Sequence, residues 1–395
     1  MEINTIRNDF PTLEKLTYLD TAFVGLFPTF VREGYIEFLD EWMSYSLGKS
    51  KTTADKQLDK AEAKSILGRW MDKAEETRAM AAEFLGASSD EVAFTQSTGC
   101  GLNMPVNGVT WKKGDNVVFP DSEHNPLVTA TLTREGVEAR IVKSVDGRVE
   151  LNDLEKAVDD NTKIVQVSQV GYLNGFRLDL KAVSDIAHEH GALVSVDSTQ
   201  ALGALKTDVR KEDVDFLSAG TYKYLIGPAG LGFFYVKSEH IESVLPDRTG
   251  WKNQMWRMRP YELPKNARRF EYGTLNFQGI YAFKNSLIYL NKMGILNIER
   301  RVLELSSYLW SRLNDFGARL FTPLDTKSPI VSFFVKDEQE IGEKLMREKI
   351  KVTARDSPEG HLRVSPHFYN TKEDVDFFMD KLKGIIGNKS EYYLK

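Results

Sequence analysis

Apolar and polar positions recur with a helical period from Ala61 to Leu85, and Gly86 marks the expected stop. Beyond it the apolar runs shorten. Glu91–Thr95, Asn116–Phe119, Ile164–Val170, Leu193–Val196 and Phe233–Val236 read as strands. Asp153–Val158 and Leu180–His190 read as helices between them. Alternation of strands with helices predicts an α/β fold around a mostly parallel sheet. From about Phe283 the pattern changes to long amphipathic helices, with one strand near Pro329–Val335, which suggests a smaller C-terminal α/β lobe. The polar stretch Ser44 to Lys56 reads as a loop or the loose end of a helix.

Composition narrows the class. With 395 residues, 42% hydrophobic and 28% charged, the chain can bury one large core and a smaller one. A net charge of −5 argues against general nucleic-acid affinity. One cysteine, Cys100, excludes an internal disulfide and a multi-cysteine metal site. His188 and His190 lie two apart and do not share a helix face, so no metal is expected there. The first ten residues carry charges and no apolar signal core, and no run approaches the ~18 apolar residues of a membrane span. A cytoplasmic protein without a membrane partner is expected.

Two sites carry candidate chemistry. Asp197 ends the apolar run Ala192–Val196 and begins Asp197-Ser-Thr-Gln200. Lys223 lies 26 residues on, in Gly220-Thr-Tyr-Lys-Tyr-Leu-Ile-Gly-Pro-Ala-Gly-Leu-Gly232. A lysine amine forms a Schiff base with an aldehyde and can move protons at a substrate's alpha carbon. A carboxylate beside a pyridine nitrogen keeps it protonated, so the ring accepts electrons. The pair points to pyridoxal 5'-phosphate. The glycines after Lys223 have the wrong order for a dinucleotide fingerprint, and they precede a strand, not a helix. Asp197, His124 and the turn 97–99 all follow predicted strands, where ligands bind in such sheets.

These motifs, with Tyr18-Leu-Asp-Thr-Ala-Phe-Val-Gly25, Glu76-Thr-Arg78, Phe94-Thr-Gln-Ser-Thr-Gly99, Arg269-Phe-Glu-Tyr-Gly-Thr274 and Leu362-Arg-Val-Ser-Pro-His-Phe-Tyr-Asn-Thr371, give nearly the whole chain a clear likeness. It resembles the class V aminotransferase group of fold-type I pyridoxal phosphate enzymes, which includes cysteine desulfurases, kynureninases and isopenicillin N epimerase-like proteins. The resemblance implies a large cofactor-binding domain over 20–280 and a small domain built from 1–19 and 281–395.

It also implies roles. Thr98 and Gly99 would cradle the cofactor phosphate at a helix N-terminus, with the Tyr222 hydroxyl beside them. His124 would stack on the pyridine ring and Gln200 would bond its hydroxyl. Thr274 would reach the phosphate of a neighbouring subunit, so a homodimer with shared active sites is expected. Arg363 would clamp the carboxylate of an amino-acid substrate, a task suited to the planar guanidinium. Tyr172 and Asn174 would face the substrate. The stretch Trp251 to Arg269, with Trp256, Arg257 and Arg259, would pack an interface or receive an acidic side chain.

The reaction is less defined. Transamination is the first expectation, because it needs only Lys223 as proton carrier. Carbon–sulfur β-elimination, a kynureninase-like cleavage and epimerisation are the alternatives. A member without catalysis, acting as a binding protein, is disfavoured by the retention of Lys223, Asp197 and Arg363. A persulfide-forming desulfurase is not expected. The resembling desulfurases carry a cysteine on a loop shortly before the arginine, whereas the corresponding stretch here, Ala354-Arg-Asp-Ser-Pro-Glu-Gly360, has none.

Overall fold

The computed structural model describes residues 3–46, 65–252 and 262–387. Its centre is a seven-stranded sheet of β1 (Val92–Thr95), β2 (Asn116–Pro120), β3 (Glu138–Val142), β4 (Thr162–Ser168), β5 (Leu193–Asp197), β6 (Phe216–Gly220) and β7 (Gly232–Val236). The order in space is β1-β7-β6-β5-β4-β2-β3. β7 runs antiparallel to both neighbours, and every other pairing is parallel. The fold is therefore α/β with a mostly parallel sheet. Every position of β1, β2, β6 and β7 is buried. Strands covered on both faces read as apolar runs without alternation, which is how they appear in the sequence.

Two strands departed from that pattern. β3 is an edge strand with Glu138 and Ile141 exposed, so its residues show neither a run nor an alternation. β6 ends in Ser218-Ala-Gly220, small residues that let the helix Thr98–Gly108 lie close; the Ser218 hydroxyl donates to the Thr98 carbonyl at 2.9 Å. The long helix is described from Ile66 to Leu85, and the expected residues 61–64 lie outside the described residues. Ser65 caps its start, accepting from the Gly68 N–H at 3.2 Å. Gly86 ends it at φ +74°, a left-handed cap that glycine adopts without strain. Of the stretch Trp251 to Arg269, residues 253–261, including Trp256, Arg257 and Arg259, lie outside the described residues.

A second, antiparallel sheet holds β8 (Val331–Phe334), β9 (Thr353–Arg355) and β10 (His361–Val364), in the order β9-β10-β8. The helices Ile295–Asp315, Glu338–Arg347 and Lys372–Ile386 close a separate core on it, with Leu309, Phe333, Leu345, Leu362 and Phe378 inside. Leu19 joins that core. Thr17–Tyr18 pairs in parallel with Ile350–Lys351, and Asp20 bridges Ser365. The N-terminal chain is thus tied to the C-terminal lobe, then runs on to the mouth of the central sheet.

One buried ion pair anchors the edge of the central sheet. Arg78 and Glu271 have side chains fully out of water, with Nη1 2.6 Å from Oε1. Arg78 also donates to the Val92 carbonyl at 2.8 Å, and Glu271 accepts from the Phe94 N–H at 2.8 Å and from Lys252. Burial alone would raise the Glu271 carboxyl, but Arg78 and Lys252 outweigh it and hold it below the usual carboxylate range. That contribution is present above the unfolded carboxyl value of about 4.3 and fades as acid protonates the folded group. Glu271→Ala removes the buried carboxylate shared by Arg78 and Lys252, leaving Arg78, among the described residues, only its pair with the half-exposed Glu75, so urea unfolding at pH 7 is expected to show a loss of about 3–5 kcal/mol. A loss no larger than an exposed pair gives, about 1 kcal/mol or less, would contradict this account.

Candidate functional site

The carboxyl ends of β4 and β5 and the turns after β1, β2 and β6 surround a cavity of about 190 Å³. Thr98, Gly99, His124 and Tyr172 line it, together with Asp197, Gln200, Tyr222 and Lys223. Eight of the eleven residues expected at the site thus meet in one hollow. A larger cleft of about 680 Å³, among residues 148–152, 176–181 and 325–327, contains none of them.

Lys223 is half-buried in this cavity. Loss of water pushes its ammonium down to about 8, Asp197 pulls it back up, and Arg363 and Arg355 add to the fall. An amine near neutrality is a usable nucleophile and proton carrier. Asp197 ends β5, and its Oδ1 accepts from the Thr199 N–H at 2.9 Å. Gln200 donates to the Ala22 carbonyl at 3.1 Å, and its buried amide oxygen has no hydrogen-bond partner among the described residues.

The turn 97–99 opens a helix, as the sequence suggests. Ser97 caps the helix Thr98–Gly108, accepting from the Cys100 N–H at 3.3 Å. A helix start leaves its first N–H groups without intrahelical partners, which suits an anion. The Thr98 and Thr199 hydroxyls stand 2.8 Å apart and join this turn to the Asp197 segment. Tyr222 places its ring centroid 5.7 Å from the Lys223 ammonium. His124 meets Tyr172 edge-on, with centroids 4.8 Å apart.

Arg363 stands on β10, 1% exposed. Its Nη1 donates to the Tyr172 carbonyl at 2.7 Å, while Nε and Nη2 are buried without hydrogen-bond partners among the described residues. Burial pushes its guanidinium down to about 10, and Arg355 adds to the fall. Unpaired guanidinium donors are suited to a carboxylate.

The other two expected residues are placed elsewhere. Asn174 is 5% exposed and does not line the cavity. Its amide donates to the Gly147 carbonyl at 2.6 Å and its oxygen accepts from the Phe176 N–H at 3.0 Å, so it closes a turn. Thr274 lines a separate hollow with Cys100, Tyr272 and Gly273 in the same chain. Burial raises the Cys100 thiol, outweighing the neighbouring groups that would lower it. His188 and His190 reach different carboxylates, Asp215 at 2.9 Å and Asp160 at 2.8 Å.

Three residues at the site were not singled out from sequence. Asp20, fully buried, lies 4.0 Å from Arg363 and 3.7 Å from Lys351, and accepts from the Thr353 hydroxyl. Burial raises its carboxyl above the usual range, and Thr353 and Arg363 pull it back. Arg355 sets its guanidinium carbon 5.3 Å from the Tyr172 ring centroid. Glu123, next to His124, bonds to Ser168. Each lies in a turn or short strand with no spacing signal of its own.

An amine, a carboxylate, a helix start and an unpaired amide oxygen in one hollow fit pyridoxal phosphate. Comparisons with known proteins agree. Residues 55–378 match the family described as Aminotransferase class-V. A probable cysteine desulfurase from Methanothermobacter thermautotrophicus is 29% identical over 98% of this chain and 99% of its own. Among solved structures, an apo cysteine desulfurase from Thermococcus onnurineus NA1 superposes with a TM-score of 0.87 at 25% identity, over 97% of this chain and 98% of that one. A cystine C–S lyase in complex with its reaction product, cysteine persulfide, has a TM-score of 0.85 at 20% identity, over 94% of this chain and 98% of that one. The chain therefore belongs to the class V aminotransferase family, and is a fold-type I enzyme that uses pyridoxal phosphate.

Proposed function

We propose that the protein is a carbon–sulfur lyase that acts on a cysteine-like amino acid by β-elimination, without a protein-bound persulfide. Two kinds of support meet here. The relatives named above act on carbon–sulfur bonds. The observation that carries the reading is the position of the chain's one thiol: Cys100 lines the hollow of Thr274, not the cavity of Lys223. A thiol that cannot meet the substrate sulfur cannot accept it.

When bound, pyridoxal phosphate supplies an electron sink for negative charge at the substrate's alpha carbon. The chain's own residues do the rest. Lys223 would hold the cofactor's aldehyde, and its amine, when free, would take the proton from the substrate's alpha carbon. Asp197 would sustain positive charge at the pyridine nitrogen. Arg363 offers its unpaired donors to the substrate carboxylate. The bond from the beta carbon to sulfur then breaks, and sulfur leaves with its electron pair as a thiol or sulfide. The three-carbon remainder hydrolyses to pyruvate and ammonia.

A homodimer is part of this reading. Phe23 (54%), Phe27 (46%), Leu39 (48%) and Met43 (61%) form an exposed apolar surface around the N-terminal turn and helix. A second copy would cover it and bring its Thr274 towards the phosphate turn. A cytoplasmic location also belongs to the proposal.

On L-cysteine the enzyme is expected to yield sulfide, pyruvate and ammonia, with Cys100→Ala as active as the parent. Alanine as product, lost in Cys100→Ala, would establish a persulfide route instead. Transfer of the amine to an added 2-oxo acid, faster than pyruvate forms, would favour transamination. Arg363→Ala should raise KM for amino acids while the cofactor absorbance stays, with a cost of about 2–5 kcal/mol in kcat/KM. An unchanged KM would remove Arg363 from the substrate site.

A further inference from the structure

Glu123 takes no part in the chemistry above, yet its carboxyl has an unusual setting. It rises from the turn between β2 and the helix Asn125–Leu132 and reaches the last residue of β4. Oε1 accepts from the Ser168 N–H at 2.8 Å, and Oε2 accepts from the Ser168 hydroxyl. Ser168 pairs in register with Asp197 on β5. One carboxyl thus staples the His124 turn to the strand beside the pyridine-nitrogen partner.

His124 needs such a hold. It caps the helix Asn125–Leu132 but makes no side-chain cap bond, and it is exposed. Neither burial nor a local hydrogen bond fixes its ring. Its ring contact is the edge of Tyr172, whose carbonyl in turn receives Arg363. The place of the ring is therefore set through its backbone, and the backbone is held by the residue before it. Burial pushes the Glu123 carboxyl up to about 7, with Asp197 adding to the rise, so an ionisable group here is costly. A turn that only needed packing would be served as well by an apolar residue.

We propose that Glu123 is a positioning residue: by clasping Ser168 it fixes the His124 ring over the cofactor cavity and, through Tyr172, the Arg363 clamp. This rests on the reading of the cavity given above. It predicts that Glu123 acts on both cofactor and substrate while touching neither.

The test compares holoenzyme variants by visible-range circular dichroism of the bound cofactor, by cofactor Kd, and by KM and kcat. Glu123→Ala is expected to change the dichroic band and raise KM about tenfold or more. Glu123→Gln, which keeps an oxygen for the Ser168 N–H, should return both towards the parent. Glu123→Asp keeps the charge but shortens the reach, and should shift them as Glu123→Ala does. It decides the matter if Glu123→Ala does not fold. Parental dichroism and KM in Glu123→Asp, even with a lowered Tm, would reduce Glu123 to a stability role and overturn the proposal. His124→Ala with parental dichroism would instead overturn the placing of His124 on the cofactor, and this proposal with it.

Discussion

Lys223 is located by its backbone, and two glycines set the terms. The Gly25 N–H donates to the Tyr222 carbonyl at 2.8 Å. A Cβ on Gly25 would lie 2.1 Å from the Lys223 carbonyl oxygen, and one on Gly203 would lie 2.2 Å from that of Tyr224. Gly203 also sits at φ +95°, where side chains are strained. No larger residue fits at either place without moving the lysine turn. Through these contacts the N-terminal turn and the segment after Asp197 close around Lys223. The amine, the carboxylate and the approach to the C-terminal lobe thus share one frame.

Charge on that frame is held against its own preference. Asp20 and Asp197 act on Lys223, as do Arg355 and Arg363, and Glu123 lies beside Asp197. Burial moves Lys223 and Arg363 down, and Asp20 and Glu123 up, each towards its neutral form. Two donors of Arg363 and one oxygen of Asp20 have no hydrogen-bond partner among the described residues. Groups left so are a cost to folding and a gain for a ligand that pairs them. An amino acid brings a carboxylate of the right charge for the guanidinium. The stable Arg78–Glu271 pair at the far edge of the sheet lacks this character, because every lobe of its charge is met.

The sequence was legible where one residue type is indispensable. Asp197 and Lys223 stand out because few other side chains do their chemistry, and each follows or precedes an apolar strand. Ser97–Gly99 stands out because a small-residue turn opens a helix. The central sheet was legible strand by strand where burial on both faces leaves continuous apolar runs. It was not legible at β3, where an exposed edge mixes Glu138 and Arg140 with Ile141. Asn174 shows the opposite limit: two residues from Tyr172, which lines the cavity, its amide bonds within the turn. Asp20, Glu123 and Arg355 escaped notice because their meaning lies in partners 45 to more than 300 positions away, such as Ser168 for Glu123 and Thr353 for Asp20. No local pattern encodes such pairings.

The central claim is that one amine in this frame carries the cofactor. Borohydride reduction of the yellow holoenzyme, followed by proteolysis and mass spectrometry, tests it most directly. The account predicts the added mass of the reduced cofactor on the peptide that holds Lys223, and its loss from that peptide in Lys223→Ala. Attachment to a different lysine, or no attachment after reconstitution with pyridoxal phosphate, would contradict it.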